Sequence, residues 1–353
     1  MRIHRSHTAS CVSQRAPFWT VLVLLVVSPS WAQNLYMKQG EAWTRVINSP
    51  EGVRMESASE SQALPLAKGA GATDLRQGAD AFWLAAVEPG DSGPRMVVFE
   101  GQGEELERMV EVPGTRAQLL REPSLLAGGQ GLEAVLWLES DQPRQQTLLA
   151  SRWMDGAWQA PVTVAPVGPG SQGALDTAVL SDGTWLAVWA AFDGQDSEIV
   201  WSRAVEGQWS KPQPVVAQGN QTPDITPRLH VTPGGGALVA WSRFDGDAYR
   251  VVVSRFEDGT WALPRTVGGR GSLDPAFQAG APSYLLYRQL LPEATWEVME
   301  LDGQARLARR GRVSIDRDEV PLVESADEKG ALLSFSGGPQ KAGQRMGLSW
   351  TQR

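Results

Sequence analysis

The sequence predicts an all-β fold, a β-propeller, and three observations support this prediction. The chain of 353 residues contains three similar segments whose marker residues recur about every 52 positions. The segments are short, rich in β-branched and aromatic residues, and bounded by Gly, Pro or Asp-Gly turns, which is the pattern of strands joined by hairpins. Four antiparallel strands in roughly 50 residues, repeated along a chain, are typical of propeller blades.

The repeat is clearest in the middle of the chain, where two sets of tryptophans and one set of Ser-Arg pairs share its period. The sets are Trp137, Trp189 and Trp241; Trp158, Trp209 and Trp261; and Ser151-Arg152, Ser202-Arg203 and Ser254-Arg255. Successive members are 51 or 52 residues apart. Weaker copies start at Phe82, Ala281 and Gly330. Three independent markers with one period leave little room for coincidence.

The blade boundaries follow from this period. The predicted whole blades span about 73–116, 121–168, 173–219, 225–271 and 273–316. The last copy, 317–353, supplies only three strands, and the segment at about 35–50 carries Gly40–Val46, which matches the turn before a fourth strand. We therefore predict six four-stranded blades, with the N- and C-terminal strands closing one composite blade (317–353 plus 35–50).

This closure makes a specific pairing prediction. The strand near Trp43–Asn48 should pair with the strand near Met346–Thr351. Residues of about 51–72 are then a polar connector. Seven blades are the alternative, if residues 53–72 form strands.

The tryptophan content needs a structural reason, since the chain has 15 Trp and only 4 Tyr. Four of them follow the turn between the third and fourth strands of a repeat: Trp43, Trp158, Trp209 and Trp261. Each indole there can be buried between one blade and the next. The rival interpretation is a set of exposed platforms for sugars, but residues that recur with a structural repeat favour the core.

The first 32 residues have the features of a secretory signal peptide. Arg2, Arg5 and Arg15 precede an apolar run at 18–27, and small residues Ser30 and Ala32 precede a cleavage site before Gln33. An uncleaved membrane anchor is the alternative, but the run is about half of the roughly 20 residues that a span requires. We predict an exported protein, periplasmic or secreted, with residues 33–353 as a single propeller domain.

Composition excludes several classes of function. The 40 acidic residues outnumber the 32 basic ones, so a nucleic-acid-binding face is not expected. Cys11, His4 and His7 lie in the signal peptide, so the mature chain has no cysteine and one histidine, His230. Disulfides, thiolate catalysis and Cys- or His-rich metal sites are therefore excluded. His230 lies in an inner strand, where packing in the core is expected rather than a role as a base.

The turn in each repeat resembles a known family motif. The step apolar-x-x-Ser-Arg-x-x-Asp-Gly-x-Trp is clearest at Ser151–Trp158 and Ser254–Trp261, whereas Ser202–Trp209 has Glu206 in place of Asp. It is similar to the Asp-box of sialidase-like β-propellers, which reads Ser-x-Asp-x-Gly-x-x-Trp. The resemblance covers most of the mature chain and implies the fold. It does not imply activity, because the box is structural in that family and also occurs in non-catalytic members.

Acidic residues recur before or at each inner strand. They are Asp74, Glu122, Asp176, Asp224, Asp274 and Asp318. A ring of carboxylates at one channel mouth could hold a hard divalent cation such as calcium. The alternative is that these side chains accept hydrogen bonds from turn amides.

A second acidic series falls four residues after each Trp137-type position: Asp91, Asp141, Asp193 and Asp245. The segment Asp193-Gly194-Gln195-Asp196 resembles a cation-binding loop of carboxylates and carbonyls. Asp-Gly is above all a hairpin turn, and that interpretation remains open.

Arginines stand near the starts of inner strands at Arg76, Arg121, Arg228 and Arg317. They could clamp a carboxylate ligand, or pair with the acidic residues beside them. The family resemblance implies that a sialidase would also need a Tyr nucleophile near the ring centre, for which Tyr287 is the candidate. The four tyrosines fit this role poorly, so we expect no sialidase activity.

Two functions from different classes remain. The first is an exported, non-catalytic module, monomeric, that binds or scaffolds a protein, glycan or envelope component on the channel-mouth face. The alternative is a sialidase-like exo-glycosidase. A metal-dependent enzyme that uses the acidic ring is a more distant third.

Overall fold

Seven antiparallel β-sheets, the blades of a propeller, make up the part of the chain that the structure describes. The computed structural model describes residues 35–351 except 40–41, 50, 57–60, 79, 103–104, 115–118, 143, 217–220, 279–282, 303–305, 315–319 and 336–344. Regular structure in these residues consists of strands only. Within the same residues, no helix is long and apolar enough to cross a membrane. The predicted signal peptide, 1–32, lies outside the described residues.

The first two blades have four strands each. Blade 1 consists of β1 (Leu35–Gln39), β2 (Ala42–Ser49), β3 (Gly52–Glu56) and β4 (Ser61–Ala63). Blade 2 consists of β5 (Gly71–Gln77), β6 (Phe82–Gly90), β7 (Gly93–Gln102) and β8 (Glu105–Arg108). In both blades the strands pair in chain order as a meander.

The next three blades carry the regular repeat, and in each of them the outer strand is split into two short pieces that pair with the third strand. Blade 3 consists of β9 (Leu119–Gly128), β10 (Gly131–Ser140), β11 (Thr147–Met154), β12 (Ala157–Trp158) and β13 (Val162–Ala165). Blade 4 consists of β14 (Gln172–Val179), β15 (Trp185–Phe192), β16 (Ser197–Val205), β17 (Gln208–Trp209) and β18 (Gln213–Pro214). Blade 5 consists of β19 (Asp224–Val231), β20 (Ala237–Phe244), β21 (Tyr249–Glu257), β22 (Thr260–Trp261) and β23 (Arg265–Thr266).

The last two blades complete the set. Blade 6 consists of β24 (Ser272–Gln278), β25 (Ser283–Gln289), β26 (Thr295–Leu301) and β27 (Leu307–Val313). Blade 7 consists of β28 (Pro321–Ala326), β29 (Gly330–Phe335) and β30 (Arg345–Ser349). The first strands of successive blades from blade 2 to blade 6 contact one another, so they form the inner wall around the axis.

The prediction of six blades is wrong, and the seven-blade alternative is correct. Strand β2 pairs with β1 and β3 in a sheet of its own, whereas β30 pairs with β29, so the composite closing blade does not form. The segment predicted to be a connector contains β3 and β4. Its polar residues mislead because the strand is buried on one face only: Val53 and Met55 are buried against blade 2, while Arg54 is exposed.

The apolar core lies between the blades. Six clusters of buried residues join blades 1 and 2, 2 and 3, 3 and 4, 4 and 5, 5 and 6, and 6 and 7. The tryptophans of the second strands, Trp137, Trp189 and Trp241, are at most 1% exposed. Each blade is therefore stabilised by its neighbours rather than by a core of its own.

Of the tryptophans that follow the outer turns, Trp158 is buried between blades, as the sequence predicts, and Trp209 and Trp261 are partly buried there. Trp158 is 8% exposed and donates a hydrogen bond from Nε1 to the carbonyl of Val110 at the end of blade 2 (2.9 Å). Trp209 packs against the cluster between blades 3 and 4, and Trp261 lies 6.1 Å from Trp201 of the preceding blade. The side chain of Trp43 lies outside the described residues.

The outer turns explain why Ser-Arg and Asp-Gly recur together. In each turn the serine hydroxyl donates to the carbonyl after the tryptophan, as Ser202 does to Ser210 (2.8 Å). The two turn residues have positive φ, 52° for Glu206 and 79° for Gly207. Arg152 of the preceding blade lies across this turn and donates to the carbonyl of Glu206 (2.9 Å). At Glu206-Gly207 the motif therefore fastens the turn to the blade before it.

Replacing Gly207 by alanine is expected to lower the free energy of unfolding by about 1–3 kcal/mol. The new Cβ would need a positive φ and would lie 2.6 Å from Cδ of Arg152. The matched control is Gly156→Ala, because Gly156 has nearly the same φ of +75° but nothing within 4 Å of its added Cβ. Urea unfolding should show the larger loss for Gly207→Ala, and equal losses would contradict a role for the Arg152 contact.

Candidate functional site

Four inner strands contain the same backbone irregularity. Glu122, Ala174, Thr226 and Asp274 have φ between 51° and 54°, although none of them is glycine. The register of pairing shifts at each of these places. Such bulges turn the strand locally and change the direction of the following side chains. The bulges therefore set how the polar residues of blades 3 to 6 are presented at the axis.

One cluster of polar side chains joins three blades across the axis. Arg76 of blade 2 binds Asp74 through Nε (2.9 Å) and Asp176 of blade 4 through Nη2 (2.6 Å). Ser124 of blade 3 lies between them, 3.4 Å from Nη2 of Arg76, and its hydroxyl is 2.9 Å from that of Thr177. Because Arg76 reaches past blade 3 to blade 4, these side chains converge on the axis.

Arg76 is already neutralised in this cluster. Burial alone would lower the pKa of its guanidinium, but Asp74 and Asp176 outweigh burial and raise that pKa. Both carboxylates also accept hydrogen bonds from main-chain amides. Arg76 therefore lacks the free charge that a clamp for a ligand carboxylate would need.

Side-chain acceptors of the inner strands connect blade 2 to blade 3, 3 to 4, 4 to 5 and 6 to 7. Asp74 accepts from the amide of Leu125 (2.7 Å), Glu122 from that of Leu175 (2.9 Å) and Asp176 from that of Leu229 (2.8 Å). Gln278 makes the corresponding bond to the amide of Val323 (2.9 Å). In every case the acceptor belongs to one blade and the amide to the following blade.

The remaining members of the predicted acidic ring have arginine partners or lie outside the described residues. Asp224 binds Arg243 through both oxygens (2.9 and 2.7 Å), and Asp274 lies 3.4 Å from Arg288. Asp318 and Arg317 lie outside the described residues. Among the described residues, the one group of three acidic side chains close enough to share an ion is a different one: Asp193, Asp196 and Glu198. A cation held by the predicted ring stays a prediction.

A second charged group lies on the inner strands of blades 3, 5 and 6. Burial raises the pKa of Glu122, although the amide of Leu175 and the charge of Arg228 oppose that change. Burial likewise raises the pKa of Asp274, with Arg288 and Arg228 opposing it. The charge of Arg228 thus acts on both carboxylates. Within the described residues it forms no ion pair, and its hydrogen bond goes from Nη1 to the carbonyl of Pro227 (2.8 Å).

Of the other candidate residues, Arg121 is exposed, directly precedes Glu122 in the inner strand of blade 3, and its charge also opposes the rise in the pKa of Glu122. Tyr287 is fully buried in the cluster between blades 5 and 6, where its hydroxyl donates to Val267 (3.2 Å) and accepts from Arg310 (2.7 Å). Burial raises the pKa of Tyr287, so its phenol stays protonated. Tyr284 lies on the same strand, and burial raises its pKa to about 12.

His230 is part of the core, as expected. Its side chain is 8% exposed and stacks on Phe277, with ring centroids 5.1 Å apart and planes inclined by 21°. Burial lowers the pKa of His230 from 6.5 to about 4. The imidazole is therefore neutral near pH 7.

Sequence reasoning missed the neutral and basic partners of the site, including Ser124, Thr177, Arg243 and Arg288. Arg243 and Arg288 follow the tryptophan of their repeat, or its equivalent, at the end of a second strand. Their position beside Asp224 and Asp274 depends on pairing between first and second strands, which requires the correct register. Knowing which residues of the first and second strands face each other would have identified these two arginines as partners of Asp224 and Asp274.

Comparison with known proteins supports the fold. No family model and no curated protein matches the sequence. An ulvan lyase of polysaccharide lyase family PL25 is similar, with a TM-score of 0.56 and 9% identity over 85% of this chain and 88% of that chain. A protein of unknown function from Dyadobacter fermentans has a TM-score of 0.51 and 16% identity over 76% and 91% of the chains. A prolyl endopeptidase has a TM-score of 0.52 and 12% identity over 91% of this chain and 50% of that chain. At such identities the likeness shows the fold alone.

Proposed function

We propose that the protein is an exported, non-catalytic β-propeller that binds a glycan at the inner strands of its channel. The observation that carries this proposal is Arg228. The charge of its guanidinium acts on two carboxylates, it pairs with neither among the described residues, and it keeps N–H donors available. By contrast, Arg76 of the inner strands binds two carboxylates, Asp74 and Asp176.

The chemistry of this group suits a sugar. A guanidinium fork binds a carboxylate, a sulfate or two neighbouring hydroxyls with parallel hydrogen bonds. Glu122 and Asp274 on either side can accept hydrogen bonds from further hydroxyls. Alternating donors and acceptors on a rigid inner wall match a ligand that is itself covered with donors and acceptors.

The structural likeness to a polysaccharide lyase supports a glycan as the ligand class. That ulvan lyase is described bound to a GlcA(1-4)Rha3S unit, an acidic and sulfated sugar. A propeller of similar fold thus accommodates an anionic polysaccharide. For this chain, the same ligand class agrees with the available charge of Arg228 and the exposed charge of Arg121.

The sialidase alternative, which rests on the Asp-box resemblance, lacks support from the site. A Tyr nucleophile must be reachable and easily deprotonated, but Tyr287 is fully buried and its pKa is raised. An arginine clamp needs a free guanidinium, but Arg76 binds two carboxylates. These contacts favour binding without sialic acid hydrolysis.

A glycan array with neutral, uronic-acid, sulfated and sialylated sugars tests the proposal. We expect binding to at least one class, and Arg228→Ala should weaken it by about tenfold to 100-fold, which is the loss expected for hydrogen bonds from a charged donor. The matched control is Arg306→Ala on the outer hairpin of blade 6, where Arg306 pairs with Asp302 (2.9 Å) and is 65% exposed. Equal affinities of the two variants, or no binding to any sugar, would contradict the proposal.

Incubation of bound glycans with the protein separates binding from catalysis. We expect no new reducing ends, no unsaturated products and no release from a fluorogenic sialoside. If the protein turns over a glycan and Arg228→Ala abolishes this activity, the protein is an enzyme and the non-catalytic proposal is wrong.

Export and a monomeric state also belong to this proposal. The basic, apolar and small-residue pattern of residues 1–32 supports export. N-terminal sequencing of protein from a secreting host should begin at Gln33, and light scattering should give the mass of one chain. A full-length chain retaining Met1, or a dimer, would contradict these two expectations respectively.

A further inference from the structure

The hairpin between β15 and β16 of blade 4 brings three acidic side chains together. Asp193, Asp196 and Glu198 each offer a carboxylate oxygen, and these three oxygens lie within 4.8 Å of one another. The turn itself is closed by Asp193, whose amide donates to the carbonyl of Asp196 (3.0 Å) and whose Oδ1 accepts from the amide of Gln195 (2.8 Å). The turn thus forms without using the carboxylate of Asp196.

Asp196 is the unusual member of this group. The residue as a whole is 8% exposed. Both of its carboxylate oxygens are buried, and among the described residues neither has a hydrogen-bond partner. A buried carboxylate without a partner is strongly unfavourable unless a cation or a proton neutralises it.

The surroundings add negative charge rather than remove it. Asp193 and Asp224 both place negative charge where it acts on Asp196. Arg243 is a cation whose charge acts on Glu198, but its guanidinium already binds both oxygens of Asp224.

The equivalent hairpin of blade 5 shows what the turn alone requires. Between β20 and β21 the amide of Asp245 donates to the carbonyl of Ala248 (3.1 Å), and Oδ1 of Asp245 accepts from the amide of Asp247 (3.0 Å). This is the same turn, 52 residues later. Ala248 stands at the position of Asp196, and Arg250 stands at the position of Glu198.

The two hairpins differ in how they balance charge. In blade 5, Arg250 forms an ion pair with Asp245 of its own turn. In blade 4, the residue at that place is Glu198, which adds a charge of the opposite sign. The two turns have the same backbone hydrogen bonds. Blade 4, however, has Glu198 where blade 5 has the cation Arg250, and Asp196 where blade 5 has Ala248.

We propose that Asp193, Asp196 and Glu198 form a binding site for a divalent cation on the β15–β16 hairpin. Three carboxylates supply up to six oxygen ligands, which suits a hard cation. Calcium fits best, because it accepts irregular sets of six to eight oxygens and does not require a rigid octahedron. The site lies beside the start of the inner strand of blade 5, where Asp224 and Arg243 pair. It is separate from the group formed by Glu122, Arg228 and Asp274.

Calcium titration of the mature chain, first freed of metal with EDTA, tests the proposal. Isothermal titration calorimetry should show one site, and calcium at 100 times its Kd should raise Tm by about 5 °C through mass action. Asp196→Asn should abolish the binding. Without calcium this variant should be at least as stable as the wild type, because it removes a buried charge and keeps the shape.

Two further variants make the result specific. Asp193→Asn keeps the acceptor that closes the turn and should still weaken calcium binding by about tenfold or more. Asp247→Asn is the control in blade 5, where the side chain is 61% exposed and pairs with Arg270, and it should leave calcium binding unchanged. Because Asp193 is exposed, its variant provides the comparison even if Asp196→Asn does not fold.

Two outcomes would overturn the site. One is a folded wild-type protein that binds none of calcium, magnesium and manganese. The other is calcium binding that survives Asp196→Asn or Asp193→Asn unchanged, since the ion would then lie elsewhere. The measurement is independent of the glycan array, so failure of either proposal can be recognised separately.

Discussion

Replacing Asp176 by alanine is expected to lower the free energy of unfolding by about 3–5 kcal/mol, the cost of removing one partner of a buried ion pair. Asp176 is 8% exposed and connects three blades. It binds Arg76 of blade 2 (2.6 Å) and accepts from the amide of Leu229 in blade 5 (2.8 Å). Its loss leaves a buried amide without an acceptor and Arg76 with one carboxylate instead of two.

Chemical unfolding of the variant checks this value. The control is Asp182→Ala in the turn after β14, where an exposed carboxylate accepts, among the described residues, from the amide of Thr184 (2.9 Å), so a loss below about 1 kcal/mol is expected. Removing Arg76 in the Asp176→Ala background should cost less than in the wild type, because the pair is already broken. A loss for Asp176→Ala no larger than that of the control would show that the axial cluster does not hold the blades together.

The stability of the protein is expected to fall with acidification because of His230. The folded-state pKa is about 4 and the unfolded value 6.5. Above pH 6.5 the imidazole is neutral in both states and contributes nothing. Between pH 6.5 and 4 only the unfolded chain takes up the proton, so the free energy of unfolding decreases, by about 2 kcal/mol at pH 5. Below pH 4 both states are protonated and the loss levels off.

His230→Gln isolates this contribution, because acidic groups also titrate in the wild type. The stability of wild type minus variant should decrease by about 2 kcal/mol between pH 7.5 and pH 5. His230 is the only histidine after residue 32, so its ring protons in NMR spectra also report the folded-state pKa directly. A stability difference that stays constant with pH, or a histidine that titrates near pH 6.5, would mean that the ring is not buried against Phe277.

The repeat could be predicted from sequence because its markers occupy the same place in each blade. Trp137, Trp189 and Trp241 are buried in equivalent second strands, so burial imposes the same residue at the same interval. Blade 1 could not be identified in this way, because its strands follow a different sequence pattern from the repeat. There the alternation of Val53 and Met55 with Arg54 and Glu56 is that of a half-buried strand, and reading the polar residues alone suggested a connector.

The candidate site could be predicted in part for a related reason. Acidic residues recur at inner strands, so their positions could be predicted from the repeat. Their partners could not be predicted, because Arg76 and Asp176 are 100 residues apart in sequence and come into contact only in the folded ring, across blade 3. The pairing of Asp224 with Arg243 depends on strand register in the same way. Sequence periodicity locates equivalent positions but not the contacts that curvature of the ring creates.

The carboxylate-to-amide bonds between inner strands all run in one direction, from Asp74, Glu122 and Asp176 to the amides of the following blades. Every repeat in this series thus carries an acceptor on one side and a donor on the other, like a module with two complementary ends. A duplicated repeat would bring both halves of this connection with it. Duplication or loss of whole repeats can therefore change the number of blades while the same hydrogen bond forms between each pair of neighbouring inner strands in this series.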